Sequence, residues 1–158
     1  MSRPCASTRH PGALRTVGLT VLLLAAVSGC VVPARDDGAF RANAVAALSS
    51  AVSEARTGAL VLRARADGKV TNAYADTVVT DDESAIGPIE DSFGNVDPPD
   101  PAQDQLRTQV MGLLGDTADA FATARLSVRR DDEEQMQASA KKLSELADQM
   151  DRAKDGLR

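Results

Sequence analysis

Histidine, cysteine and tryptophan are almost missing from this sequence. Its 158 residues include one histidine, His10, two cysteines, Cys5 and Cys30, and no tryptophan. Because these three residues all lie within positions 1–30, the chain beyond them has neither imidazole nor free thiol. For that part of the chain, histidine bases, cysteine nucleophiles, histidine zinc sites and disulfide bonds are excluded. Its stability must come from packing alone.

Aromatic side chains and strand patterns are equally scarce. Aromatic residues make up 3% of the sequence: Phe40, Tyr74, Phe93 and Phe121. Beyond residue 30 there is no run in which β-branched and polar residues alternate, so strands are not expected. The length suits one domain, and we expect that domain to be all-α.

The first residues have the charge pattern of an export signal. Arg3, Arg9 and Arg15 are basic, and no acidic residue precedes Asp36. An apolar run, TVGLTVLLLAAV, follows at 16–27. Its length of about 12 residues fits a signal peptide and is shorter than the roughly 20 residues that cross a bilayer.

The apolar run ends in Val27-Ser28-Gly29-Cys30, which resembles the lipobox of bacterial lipoproteins. The resemblance implies cleavage between Gly29 and Cys30 and a diacylglycerylated Cys30. It divides the chain into a signal peptide (1–29), a tether (30–38) and a bundle domain (39–158). An ordinary secreted protein and an uncleaved anchor are the alternatives. Two or three acyl chains hold a protein firmly on a membrane.

Loss of the signal makes the protein strongly acidic. Residues 1–29 contain three of the 18 basic residues and none of the 23 acidic ones, so the remainder carries a net charge of −8. Nucleic acid and anionic headgroups repel such a surface. We therefore expect no nucleic-acid partner, and membrane attachment through the lipid on Cys30 only.

Apolar residues recur at helical spacing in four segments. The first helix is predicted at about 37–67, capped by Asp36 or Asp37 and ended by Gly68. The second is predicted at about 71–94, with Asp82 on its apolar stripe. Gly87-Pro88 predicts a kink or break there, and 80–83 (TDDE) resembles a capping box, so two shorter helices are the alternative.

The second half of the chain predicts two more helices after a proline-rich loop at 95–101. The third helix is predicted at about 101–129, and the fourth at about 132–156. Residues 129–135 (RRDDEEQ) contain no apolar side chain, so a turn is expected there, and one long helix is the alternative. The two arginines suit the C-terminus of the third helix, and the acids at 131–134 suit the N-terminus of the fourth, because each charge is opposite to that end of the helix dipole.

Four amphipathic helices joined by short loops predict an up-down four-helix bundle. Its core would be narrow and rich in alanine. The part after the lipobox resembles, in composition only, small Ala-rich helical lipoproteins of actinobacteria of unknown function. That resemblance carries no functional residues over to this chain.

Acidic clusters are the main candidates for a metal site. The clusters at 81–83 and 131–134 lack the alternating oxygens and glycine of an EF-hand loop, and both suit helix starts, so capping is the favoured role. Asp97, Asp100 and Asp104 flank the proline loop, where turn and cap chemistry is favoured over Ca²⁺ binding. No metal site or cofactor is therefore predicted.

Other reactive side chains have simpler interpretations. Met136 and Met150 can bind Cu(I) in principle, but both lie on the core stripe. Ser139 and Lys142 are helical neighbours, although Ser139 also lies on that stripe. Tyr74 is expected to pack beside its helix, with a binding role as the alternative. No pair of carboxylates is singled out for glycosidase chemistry, so no catalytic residue and no enzymatic activity are predicted.

These expectations converge on a non-catalytic lipoprotein on the extracytoplasmic face of the cell membrane. Its partners would be other envelope proteins or a second copy of itself. An extracytoplasmic binding protein for a cation or a small ligand is the alternative.

Overall fold

The computed structural model describes residues 34–158, which form four helices and, within that range, no strand. This confirms the predicted all-α fold. No helix in this part of the chain is long and apolar enough to cross a bilayer. The helices are α1 (Asp37–Ala66), α2 (Asn72–Gly94), α3 (Asp104–Arg130) and α4 (Glu133–Asp155), with a short 3-10 turn (Pro101–Gln103) before α3.

The helices pack as an up-down bundle. Each contacts the next in sequence, α4 returns to α1, and α1 also reaches α3 across the diagonal. Side-chain pairs show that α1 and α4 are antiparallel: Arg56 bonds to Asp151, and Arg63, further along α1, bonds to the earlier Ser144. The predicted topology is confirmed.

Side chains of the preceding residues cap the starts of α1 and α2. Asp36 accepts a hydrogen bond from the Ala39 backbone NH (2.8 Å), and Thr71 accepts one from that of Tyr74 (3.2 Å). Asp100 caps the 3-10 turn in the same way. After α1, Gly68 adopts the left-handed φ of 71° that ends a helix most easily without a Cβ. Local chemistry therefore sets these boundaries.

A turn separates α3 from α4, so the alternative of one long helix is wrong. Asp131 has a φ of 54°, in the left-handed region, and pairs with Arg65. Asp132 then caps α4 by accepting a hydrogen bond from the Gln135 backbone NH at 3.0 Å. The acidic cluster at 131–134 therefore has the predicted capping role.

Removing this cap should have a moderate effect. We expect Asp132→Ala to lower the free energy of unfolding by about 1 kcal/mol, because a backbone NH at the start of α4 loses its acceptor. Urea unfolding followed by circular dichroism measures the change. Glu134→Ala, a neighbouring acid that does not cap, is the matched control. Equal losses in the two variants would contradict the assigned cap.

Helix α2 runs through Pro88 without interruption, so the two-helix alternative is wrong, and so is the capping box at 80–83. Pro88 cannot donate to the carbonyl of Ser84. Both residues are exposed, however, so water can satisfy that carbonyl. Val79 and Ile86 are fully buried on the opposite face and hold the helix together across this point.

The core is wider than the predicted stripes. Phe40 and Phe93 meet near one end of the bundle, with ring centroids 5.4 Å apart. Leu126 belongs to the apolar residues that recur at helical spacing in the third predicted helix, yet it is exposed. Apolar residues at such spacing that are fully buried include Leu48, Ala55, Leu62, Val110, Leu114, Leu143, Leu146 and Met150.

Candidate functional site

The predicted lipidation site lies outside the described residues, as do Gly29 and the cleavage point before Cys30. The described chain begins at Ala34, whose backbone NH donates to the carbonyl of Asp97 at 3.2 Å. Ala34 also packs against the core. The start of the bundle is thus attached to the loop that follows α2.

Asp82 is a carboxylic acid in the centre of the bundle. It lies between Val79 and Ile86 in the 3,4 spacing that places side chains on one helix face. Packing of that face against α1 and α3 leaves Asp82 only 6% exposed. Its Oδ2 atom has no hydrogen-bond donor among residues 34–158.

A glycine on α1 makes room for this carboxyl. A Cβ placed on Gly58 would lie 3.3 Å from Asp82 Oδ2 and 2.4 Å from Cε1 of Phe121 on α3. Contacts of 2.4 Å do not occur between carbon atoms without displacement of one of them. Gly58 is therefore a point where α1 lies close to side chains of both α2 and α3.

Burial raises the pKa of Asp82 to about 7, and the negative charges of Glu54 and Asp81 add to the effect. Glu54 on α1 also lies within hydrogen-bond reach of Asp82. Two carboxyl groups can hydrogen-bond only if one of them holds a proton. Asp82 therefore keeps its proton up to about neutral pH in the folded protein.

The Asp82 carboxyl lies away from the three surface grooves of the described chain. Asp82 lines neither the groove between α1 and α2 nor the two between α3 and α4. The predicted capping role of Asp82 is wrong, because the residue lies in the middle of α2. Its position on the apolar stripe was the signal for burial.

The acids next to Asp82 point elsewhere. Glu83 forms an ion pair with Arg125 of α3, with oxygen–nitrogen distances of 2.5 and 3.4 Å. Asp81 is exposed. The cluster at 81–83 thus divides among three environments, and residues 34–158 contain no group of three metal-ligating side chains.

The other residues considered for a metal or ligand site do not come together in the structure either. Asp100 caps the 3-10 turn, and Asp97 pairs with Arg107 at 3.3 Å, so these acids do not converge. Met136 and Met150 are fully buried, as expected of core residues. Tyr74 is 54% exposed, so its predicted packing role is wrong.

A groove with charged residues at its rim lies on the surface between α3 and α4. It encloses about 390 Å³. Ser139, which is 4% exposed, lies at its floor, and its hydroxyl has no hydrogen-bond partner within the described chain. The groove is lined by Asp116, Asp119, Ala120 and Thr123 from α3 and by Gln135, Ala138, Ser139 and Lys142 from α4.

The charged side chains that line this groove form no ion pair with the rest of the described chain. Within residues 34–158, those that join two helices lie between α1 and α4 or between α2 and α3, as in Arg56–Asp151 and Arg125–Glu83. Asp116, Asp119 and Lys142 belong to none of the ion pairs in that range. Their charges are available to a ligand.

No family model, curated protein or solved structure matches this chain.

Proposed function

We propose that this protein is a lipid-anchored, non-catalytic helical bundle on the extracytoplasmic face of the cell membrane, where it interacts with other envelope proteins or with itself. The observation that carries the proposal is the sequence Val27-Ser28-Gly29-Cys30 at the end of a basic and apolar leader. A lipid on Cys30 would supply the attachment that an acidic surface cannot.

The short connection to the bundle supports this proposal. Three residues lie between Cys30 and Ala34, and the four steps from one to the other span at most about 14 Å when fully extended. Ala34 is itself held by the loop after α2. A lipid on Cys30 would therefore keep the beginning of α1 and the end of α2 beside the bilayer.

The exposed apolar side chains support a role in protein interaction. Leu60, Tyr74 and Leu126 are 64%, 54% and 46% exposed. Each lies near the bundle end that holds the α1–α2 and α3–α4 turns, opposite to Ala34. Large apolar and aromatic side chains are enriched where proteins bind one another.

The proposal is tested by substitution of Cys30, the residue proposed to carry the lipid. We expect Cys30→Ala to move the protein from the detergent phase to the aqueous phase, or to leave it uncleaved, because the acyl acceptor is gone. Phase partition in Triton X-114 and intact-mass spectrometry measure both outcomes. Cys5→Ala is the matched control, since it removes the other cysteine inside the leader and should change neither result.

Two outcomes would contradict the proposal. One is a Cys30→Ala protein that has lost residues 1–29 and still partitions like the wild type. The other is a wild-type chain that still begins at Met1 or carries an unmodified Cys30 thiol. For the interaction role, crosslinking in whole cells should capture envelope proteins or a second copy, and Tyr74→Ser should weaken that capture.

A further inference from the structure

The groove between α3 and α4 has the dimensions of a small-molecule site. Its volume of about 390 Å³ lies within the roughly 300–1,000 Å³ of ligand pockets. Because α3 and α4 are antiparallel, Asp116 and Lys142 mark one end of the groove, and Thr123 and Gln135 mark the other. The two ends are seven residues apart on each helix, or about 10 Å.

Opposite charges face each other at one end without neutralising each other. Lys142 on α4 and Asp116 on α3 line the same groove, yet no oxygen–nitrogen distance of 4.0 Å or less joins them within residues 34–158. Lys141, the neighbour of Lys142, instead pairs with Glu145 on the same helix. Lys142 could therefore bind an anionic group of a ligand, and Asp116 could bind a cationic group of the same ligand.

Glu90 of α2 does not line the groove, but it lies close enough to Asp119 for their charges to interact. Burial raises the pKa of Glu90, and the negative charges of Asp91 and Asp119 add to that effect. No basic side chain pairs with Asp119 in the described residues. A bound ammonium group would relieve this accumulation of negative charge.

The floor of the groove offers an unused hydrogen-bonding group. A buried hydroxyl without a partner is disfavoured, and one at the base of an open groove can be satisfied by a ligand. Ser139 is such a group. Ala120 and Ala138 beside it leave space and an apolar surface for an aliphatic chain.

We propose that this groove binds a small zwitterion of the α-amino acid class, with its carboxylate on Lys142, its ammonium group on Asp116 and Asp119, and its side chain directed over Ser139 toward Thr123 and Gln135. Both charged ends of the ligand then find opposite charge, and a polar side chain reaches the far end of the groove. This site goes beyond the proposed membrane anchoring, and it is independent of Cys30.

The test measures binding to the full-length protein in detergent micelles. Saturation-transfer NMR uses L-glutamine, L-alanine and L-lysine as probes, each up to about 10 mM, with acetate and methylamine as single-charge probes. We expect saturation transfer to at least one amino acid. Methylation of its carboxylate or acetylation of its amine should weaken binding at least about tenfold, because each removes one charged contact.

Substitutions assign the binding to this groove. Lys142→Met and Asp116→Asn should each weaken it about tenfold or more, while the matched controls Lys141→Met and Asp148→Asn should leave it unchanged. Circular dichroism checks that each variant remains folded. Ser139→Ala should weaken binding less and leave the fold intact, because the hydroxyl has no partner to lose.

Three results would overturn the proposal. The first is no saturation transfer to any amino acid. The second is equal binding of acetate and of the amino acids, which would indicate an anion site only. The third is binding that survives Lys142→Met, which would place the ligand elsewhere. Because the site does not involve Cys30, none of these results bears on lipid anchoring, and failure of anchoring would not affect them.

Discussion

At about pH 8, Asp82→Asn is expected to be more stable than the wild type by about 2–4 kcal/mol. Burial raises the pKa of Asp82 to about 7 from its ordinary value of 3.8. The folded protein therefore binds a proton on this group at pH values where the unfolded chain has released it. Asparagine has the same shape, stays neutral at every pH, and can still donate a hydrogen bond to Glu54.

The sign of the pH dependence follows from this difference. Well below pH 4 the carboxyl is protonated in both the folded and the unfolded state, so it does not make stability change with pH there. As pH rises from about 4 to about 7, the folded state binds more protons than the unfolded state, so the wild type loses stability. The stability advantage of Asp82→Asn should grow over this interval and level off above pH 7.

Urea unfolding of both proteins at a series of pH values measures this advantage. The subtraction removes the contributions of other acids, such as Asp151, whose pKa is lowered chiefly by its hydrogen bond with Lys154. The matched control is Asp81→Asn, because Asp81 is one residue earlier and exposed. Its free energy of unfolding should differ little from that of the wild type at every pH. An advantage of Asp82→Asn that does not change with pH would contradict the buried proton.

Gly58→Ala should destabilise the bundle by about 1–3 kcal/mol, although alanine is the better helix former. The added methyl group would lie 2.4 Å from the ring of Phe121, which is fully buried and has little space in which to move. It would also approach the Asp82 carboxyl. Relief of these contacts requires a shift of α1 away from α2 and α3.

A second glycine provides the control. Gly112 lies inside α3 and is exposed, and a Cβ built on it meets no atom within 4 Å. Gly112→Ala should therefore stabilise the protein by about 0.5–1 kcal/mol through helix propensity alone. Thermal unfolding separates the two cases by opposite shifts in midpoint. A gain in stability from Gly58→Ala would show that the three helices do not meet there.

The helix ends could be predicted from sequence because their causes are local. Asp36, Thr71 and Asp132 each cap a backbone NH three residues later, a geometry that depends on no distant contact. The same local pattern at 80–83 gave a wrong prediction. No break precedes it, and the buried face of α2 stabilises the helix more than a new start would.

The two candidate sites could not be predicted to the same degree, because they depend on how helices align. The position of Asp82 on the apolar stripe predicts its burial. Its pKa, however, depends on Gly58, Phe121 and Glu54, which are distant in sequence. The groove depends on the register of α3 against α4. Helical spacing predicts that Ser139 and Lys142 are neighbours on α4, but no local pattern predicts that Asp116 of α3 lies across from them.

If Cys30 carries the proposed lipid and the bundle stands upright on the membrane, the length of α1 sets how far the molecule extends from that membrane. At about 1.5 Å per residue, a helix of 30 residues is about 45 Å long. With a lipid on Cys30, Leu60 and Tyr74 would stand tens of ångströms from the headgroups, on the order of the thickness of a whole bilayer. Partners there would have to be extended or themselves project outward, since proteins that barely emerge from the bilayer would meet only the lower part of the bundle.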